Sequence, residues 1–271
     1  CAGCGLAVAL RYISKALEGQ AILVVPASCL TVLGGMYPVS SVRLPWLNVA
    51  FPSTAASASG VAAGLKALGK TGSTVVAFAG DGGTLDIGIQ ALSGAAERNA
   101  DILYICYDNE AYMNTGTQRS SATPIRVKTA TTPILGKQQH SKDMVRIMEA
   151  HGIPYIATAS PAYPAILGTR YIHITTPCPP GWVFPTTDTI KVGRLAVETG
   201  AVVLYEIENG VFRLTSKSRT IAKRNRRAPI ETYFAAQKRF GKPDAGRIAE
   251  FQQWVDTRWD GFMKRAAENE S

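Results

Sequence analysis

Short apolar runs alternate with helix-patterned stretches along most of this chain, and that alternation leaves few architectures open. AILVVPA (21–27), STVVAFAG (73–80), DILYICYDN (101–109), PYIATAS (154–160) and RYIHITT (170–176) read as buried strands. Between them, GLAVALRYISKALEG (5–19), TAASASGVAAGLKALG (54–69), TLDIGIQALSGAAERN (84–99) and SKDMVRIMEAHG (141–152) carry helical spacing. A strand–helix–strand rhythm predicts an α/β fold, a parallel sheet with helices on both faces. Beyond Arg213 the rhythm stops. The expected division is one α/β domain over 1–212 and a basic C-terminal arm with helices over 213–271.

The 271 residues suffice for a sizeable core, and 46% hydrophobic with 18% charged residues is an ordinary globular balance. No apolar stretch is long enough to span a membrane, so no membrane association is expected. The chain starts at Cys1 rather than Met, which leaves room for a few residues or a short leader ahead of it. Its net charge of +9 is concentrated: residues 213–243 hold ten Lys or Arg and one Glu. Nucleic acid is one reading of such a run. No nucleic-acid motif accompanies it, so the expected role is an arm that wraps a partner subunit or stays solvated.

One strand end stands out. VVAFA (75–79) runs into Gly80, Asp81, Gly82 and Gly83, a single carboxylate among residues without side chains. An Asp-Gly turn would account for it alone. The next strand, however, ends in Asn109, 28 residues after Asp81, about one strand-helix-strand unit. In a parallel sheet ligands sit beyond the carboxyl ends of the strands, so the two side chains can meet. Asp and Asn oxygens suit a hard cation such as Mg²⁺, which shares its shell with phosphate. The glycines allow close approach of a pyrophosphate, and a helix starting near Thr84 would aim its N-terminal dipole at the same anion.

The segments GDGGTLDIG (80–88) and YDNEAYMNTG (107–116) resemble the thiamine pyrophosphate motif. More narrowly, the chain from Cys1 to about Pro243 is similar to β subunits of 2-oxoacid:ferredoxin oxidoreductases of the pyruvate:ferredoxin type, including oxalate oxidoreductase. The resemblance implies thiamine pyrophosphate held by Gly80, Asp81, Gly82, Gly83, Thr84, Asn109 and Asn114. It implies Mg²⁺ bound by Asp81, Asn109 and the main-chain carbonyl of Ala111, with Asn114 as the catalytic residue facing thiamine ring and substrate. It also places the thiamine-activating glutamate on a partner subunit, hence a hetero-oligomer, with ferredoxin as electron acceptor and a cytoplasmic location.

Of five cysteines, Cys106 sits inside an apolar strand and is expected in the core. The other four lie in loops: Cys1 and Cys4 in CAGCG, Cys29 after a strand, and Cys178 in the rigid PCPPGW. Taken alone they admit disulfides, a structural zinc site or an iron–sulfur cluster. The resemblance implies the last, one 4Fe–4S cluster on Cys1, Cys4, Cys29 and Cys178. Thiamine as electron sink and a cluster as one-electron acceptor belong together chemically. No G-x-G-x-x-G fingerprint for a dinucleotide follows any strand.

Two stretches depart from the pyruvate-type pattern. IRVKTATTP (125–133) carries Arg126 and Lys128, where an uncharged, aromatic-containing stretch is usual. Solvated loop charges are one reading. The other is a substrate with a second carboxylate, of which oxalate is the smallest, so pyruvate and oxalate stand level. His140, in the long loop after Asn114, is a third candidate for substrate contact, while His151 is expected to cap a helix. The second departure is a shortened segment between Pro164 and Arg170. Two further functions remain: a non-redox thiamine-dependent decarboxylase or synthase subunit, and a zinc-stabilised, non-catalytic assembly subunit.

Overall fold

The computed structural model describes residues 1–17, 19–70, 72–163 and 171–269. The shortened segment between Pro164 and Arg170 lies outside the described residues. Eight strands form one sheet: β1 (Ala21–Pro26), β2 (Trp46–Val49), β3 (Thr74–Gly80), β4 (Leu103–Asp108), β5 (Tyr155–Ala159), β6 (Tyr171–Thr175), β7 (Tyr205–Glu208) and β8 (Val211–Leu214). Their order is β2-β1-β3-β4-β6-β5-β7-β8. The first six are parallel; β7 pairs antiparallel with β5, and β8 with β7. The sheet is therefore mixed at one edge, not parallel throughout as the rhythm suggested. The YEIE and VFRL strands alternate buried with less buried residues, the pattern of an antiparallel edge rather than of a doubly covered core.

The helices are α1 (Gly5–Ala16), α2 (Cys29–Gly34), α3 (Thr54–Ala67), α4 (Ile89–Glu97), α5 (Met144–Glu149), α6 (Pro179–Trp182), α7 (Thr189–Glu198), α8 (Ser216–Arg224), α9 (Ile230–Ala235) and α10 (Ala245–Glu268). The helix expected over 84–99 is two pieces. A π-helical turn, Gly82–Asp86, follows β3 directly, and α4 starts only at Ile89. The period-two alternation of the strands divides the core. Val76 and Phe78 face Leu6, Leu10 and Ile13 of α1, while Val75, Ala77 and Ala79 face the side packed with Ala58 of α3 and Leu92 of α4. Cys106 is fully buried on the second side. None of the helices among the described residues is long and apolar enough to cross a membrane.

The basic segment after Arg213 is packed against this domain. β8 crosses the 212/213 boundary, and α10 turns Phe251, Val255, Trp259 and Phe262 inward at helical spacing. Phe262 lies on Tyr205 and Phe212, with ring centroids at 4.9 and 5.8 Å. Phe234 stacks on Phe240 at 4.1 Å in a third apolar cluster with Trp182 and Val192. Phe262→Ala should destabilise the subunit by about 3–5 kcal/mol, read as a lower denaturant midpoint. An unchanged midpoint would mean that α10 contributes nothing to the core.

Candidate thiamine pyrophosphate and metal site

β1 and β3 are neighbours, yet the chain leaves β1 toward β2 on one side and β3 toward β4 on the other. Connections that diverge from adjacent strands open a crevice at their carboxyl ends. A cavity of about 300 Å³ lies there. Ser28 and Cys29 enter it from the end of β1, Gly80 to Gly83 from the end of β3, and Asn109, Ala111 and Asn114 from the end of β4 and its loop. Of the expected cofactor residues, Thr84 alone is missing from the wall. Its fully buried hydroxyl donates to the Gly80 carbonyl at 2.8 Å and meets Tyr104 Oη at 3.1 Å. It closes the turn after β3 and is not turned toward a ligand.

Asp81 is 1% exposed, and its Oδ2 accepts a 2.5 Å hydrogen bond from Ser120 Oγ. Burial pushes its pKa well above the usual carboxylate range, and Asp108 nearby adds to the rise. The Asn109 amide and the Ala111 carbonyl stand beside it. Turned one way, the amide nitrogen donates to Asp81 Oδ1 at 3.1 Å and to Ala111 O at 2.9 Å. Turned the other, its oxygen takes the same position, 3.1 Å from Asp81 Oδ1 and 2.9 Å from Ala111 O. That second arrangement has no hydrogen bond to offer and is the donor set of a hard divalent cation. A cation there would also compensate the buried carboxylate. The three groups therefore fit Mg²⁺ in both chemistry and placement.

The glycines are tied to aromatic rings as well as to the crevice. A Cβ on Gly82 would stand 2.3 Å from the Tyr112 ring. Tyr112 Oη donates to Asp86 at 2.8 Å, so that ring has little room to yield. The helix expected from Thr84 opens as the π-helical turn, from which Gly82 and Gly83 line the cavity.

No disulfide joins any of the five cysteines. Gly5 N donates to Pro177 O at 3.1 Å, and a Cβ on Gly3 would strike the Thr186 carbonyl at 2.1 Å, so the CAGCG loop lies against the chain flanking Cys178. Burial pushes Cys29 up to about 11, with further increments from Cys178, Cys4 and Asp81. Burial likewise raises Cys178, and Cys4 adds to it. Cys4 and Cys178 thus both lie close enough to Cys29 to raise it, and Cys29 also borders the cavity of Asp81. Among the described residues, no three His, Cys, Asp or Glu side chains close on a single ion.

The three loop residues expected near substrate stand elsewhere. Arg126 Nε pairs with Glu250 at 2.9 Å and its Nη1 with Gln138 at 2.6 Å. Lys128 is exposed beside Gly241, and His140 stacks on Trp254 at 6.4 Å. None of them lines the cavity. Conversely, Ser120, Phe51 and Tyr112 belong to the site or its wall and had no sequence signal, apart from the aromatic position beside Ala111. His151 bonds within its helix turn, Nδ1 to Ile147 O at 2.8 Å, and meets Ser93.

Residues 28–167 match the family described as thiamine pyrophosphate enzyme, C-terminal TPP binding domain. The chain is 48% identical to pyruvate synthase subunit PorB of Methanothermobacter thermautotrophicus, over 95% of this chain and 92% of that protein. It is 42% identical to ketoisovalerate oxidoreductase subunit VorB of Pyrococcus horikoshii, over 98% and 91%. Among solved structures, the fold is similar to 2-oxoglutarate:ferredoxin oxidoreductase from Magnetococcus marinus, with a TM-score of 0.56, 19% identity, and coverage of 72% and 76% of the two chains. With a thiamine pyrophosphate-binding domain over half its length and such identity end to end, this chain belongs to the β subunits of the 2-oxoacid:ferredoxin oxidoreductases.

Proposed function

We propose that this subunit holds thiamine pyrophosphate through Mg²⁺ on Asp81, Asn109 and the Ala111 carbonyl, and one 4Fe–4S cluster on Cys1, Cys4, Cys29 and Cys178. In a complex with partner subunits it oxidatively decarboxylates a small 2-oxo acid and delivers electrons singly to ferredoxin. The observation that carries this reading is the convergence of three oxygens at the switch-point crevice, with Cys29 in the same wall. The bound cofactor supplies an electron sink for the carbon–carbon cleavage. The chain's own groups do the rest. Asp81 and its neighbours fix the metal, Gly82 and Gly83 give the diphosphate access to backbone amides, and Asn114 faces the open side of the crevice. There a partner subunit supplies the activating glutamate.

The cysteines favour a cluster over zinc. A cubane spreads its four thiolates wider than one tetrahedral ion does. Cys29, with Cys4 and Cys178 close by, borders the proposed thiamine crevice, which is where a one-electron acceptor is needed. For substrate, we favour a monocarboxylic 2-oxo acid such as pyruvate or 2-oxoisovalerate, the kind named in the relatives. The case for oxalate rested on Arg126 and Lys128, which lie away from the crevice.

The assembled complex should reduce ferredoxin or a viologen with pyruvate or 2-oxoisovalerate plus coenzyme A, and not with oxalate alone. Turnover with oxalate alone would reinstate the second carboxylate. A colourless, iron-free complex that decarboxylates without reducing either acceptor would make this a non-redox thiamine enzyme, and one binding only zinc an assembly subunit.

Asp81→Ala should abolish Mg²⁺-dependent thiamine pyrophosphate binding, a loss beyond the roughly 10–100-fold typical of a change outside the ligand shell. The brown iron–sulfur absorbance should persist. If both disappear together, the two sites are not independent.

A carboxyl whose pKa rises on folding destabilises the folded state once the pH passes above its ordinary range, and the cost vanishes as the pH returns to it. The metal-free subunit should therefore melt higher at pH 5 than at pH 8 relative to Asp81→Asn, whose own curve lacks this slope. Saturating Mg²⁺ with thiamine pyrophosphate should remove the difference. Parallel curves for the two proteins without metal would show that Asp81 carries no such cost.

A further inference from the structure

The loop that follows β4 carries two of the three oxygens of the proposed metal site, and its backbone is unusual. Glu110, between Asn109 and Ala111, has φ of +67°, in the left-handed region that a residue with a Cβ seldom adopts. Across this residue the Asn109 amide and the Ala111 carbonyl stand 2.9 Å apart. The conformation is held from several directions. Glu110 N donates to Asp108 Oδ1 at 2.8 Å, and Thr123 Oγ1 donates to Glu110 O at 2.6 Å. Trp182 Nε1 donates to Asn109 O at 2.8 Å.

The remaining hold comes from 129 residues further along the chain. Arg239 is 3% exposed, and its Nη1 donates to the Glu110 carboxylate. Its Nη2 donates to Tyr233 Oη at 2.8 Å, and its guanidinium lies 3.7 Å from the centre of the Trp182 ring. Trp182 ends the short α6, whose N-cap is Cys178, and Trp182 N donates to Cys178 O at 2.8 Å. One buried guanidinium therefore bears on Glu110 directly and on Asn109 through the indole, and the backbone amide of the same tryptophan is bonded to the cysteine loop. Arg239 is not itself a ligand: neither it nor its carboxylate partner Glu110 lines the crevice wall.

We propose that Arg239 is the positioning residue of the metal-holding loop, keeping Glu110 left-handed so that Asn109 and Ala111 present their oxygens to a cation shared with Asp81. This rests on the metal site of the preceding section. Lysine would keep the charge but not the fork that reaches Glu110 and Tyr233 together.

The test uses the assembled complex, with Mg²⁺ titrated at fixed thiamine pyrophosphate and binding read by tryptophan fluorescence and by equilibrium dialysis of the thiamine. Arg239→Lys and Glu110→Gln should each weaken the apparent Mg²⁺ affinity by roughly tenfold or more, as changes behind a metal's ligands do. The double variant should be no weaker than the worse single one, because both act through one contact. Melting temperatures measured without Mg²⁺ identify variants that are merely unstable. Should Glu110→Gln fail to fold, Arg239→Lys alone decides. Wild-type Mg²⁺ affinity in Arg239→Lys, or single effects that multiply in the double variant, would overturn the assignment. A wild-type complex in which thiamine pyrophosphate binding ignores Mg²⁺ would instead overturn the metal site itself.

Discussion

The carboxylate of Asp81 sits at the end of the central strand β3, out of water, with a serine hydroxyl as its side-chain hydrogen-bond partner. A lone charge in that position is costly, and the neighbours increase the cost. Asp108 repels it, and the amide of Asn109 and carbonyl of Ala111 can add two more oxygens to the same point. No folding requirement explains such a grouping, since an apolar residue in place of Asp81 would pack at lower cost. The grouping makes sense as a socket with its compensating charge supplied by a cation. β3 is fully buried from Val75 onward and paired on both sides, so the backbone beneath Asp81 cannot drift to relieve the strain. Rigidity of the central strand and instability of the charge at its tip together define the site.

The same strand ends bring the cysteines close. Cys29 opens α2 straight after β1, the strand hydrogen-bonded to β3, so its thiol and the Asp81 carboxylate border one cavity. The N-terminal CAGCG loop is held against the Cys178 loop by the Gly5 amide and by a close approach at Gly3, where φ is +68° and no side chain would fit. A proposed electron donor and a proposed acceptor that share a wall need no moving part between them. The topology alone sets their separation.

Much of this was legible in the chain, and the exceptions share a cause. β1, β3, β4 and β6 announce themselves as apolar runs because both faces are covered, and the half-buried β5 still carries an apolar run. β2 does not, since WLNV is half exposed; β7 alternates apolar with charged residues, and β8 is only four residues long and interrupted by Arg213. Asp81 and Asn109 were readable because the spacing of adjacent parallel strands is regular. Ser120 was not: it reaches Asp81 across 39 residues of irregular loop, for which sequence has no period. Arg126 misled for the same reason. Its partner Glu250 is 124 residues away on α10, and nothing local distinguishes a paired arginine from one waiting for a substrate carboxylate.

The basic segment shows the limit most sharply. Ten cations in 31 residues suggest a solvated arm, and most of them have that character. Arg239 does not, and its neighbours give the reason. It lies over the rings of Trp182 and Phe240 with the Tyr233 hydroxyl as a hydrogen-bond partner, within the apolar cluster that these aromatic residues form. A buried arginine needs an anion, and the one it finds is Glu110, whose carboxyl burial pushes up while Arg239 opposes that rise and Asp108 adds to it. Each of the two charges would be untenable without the other. Their pairing turns a stretch that composition reads as surface into a support for the loop carrying Asn109 and Ala111.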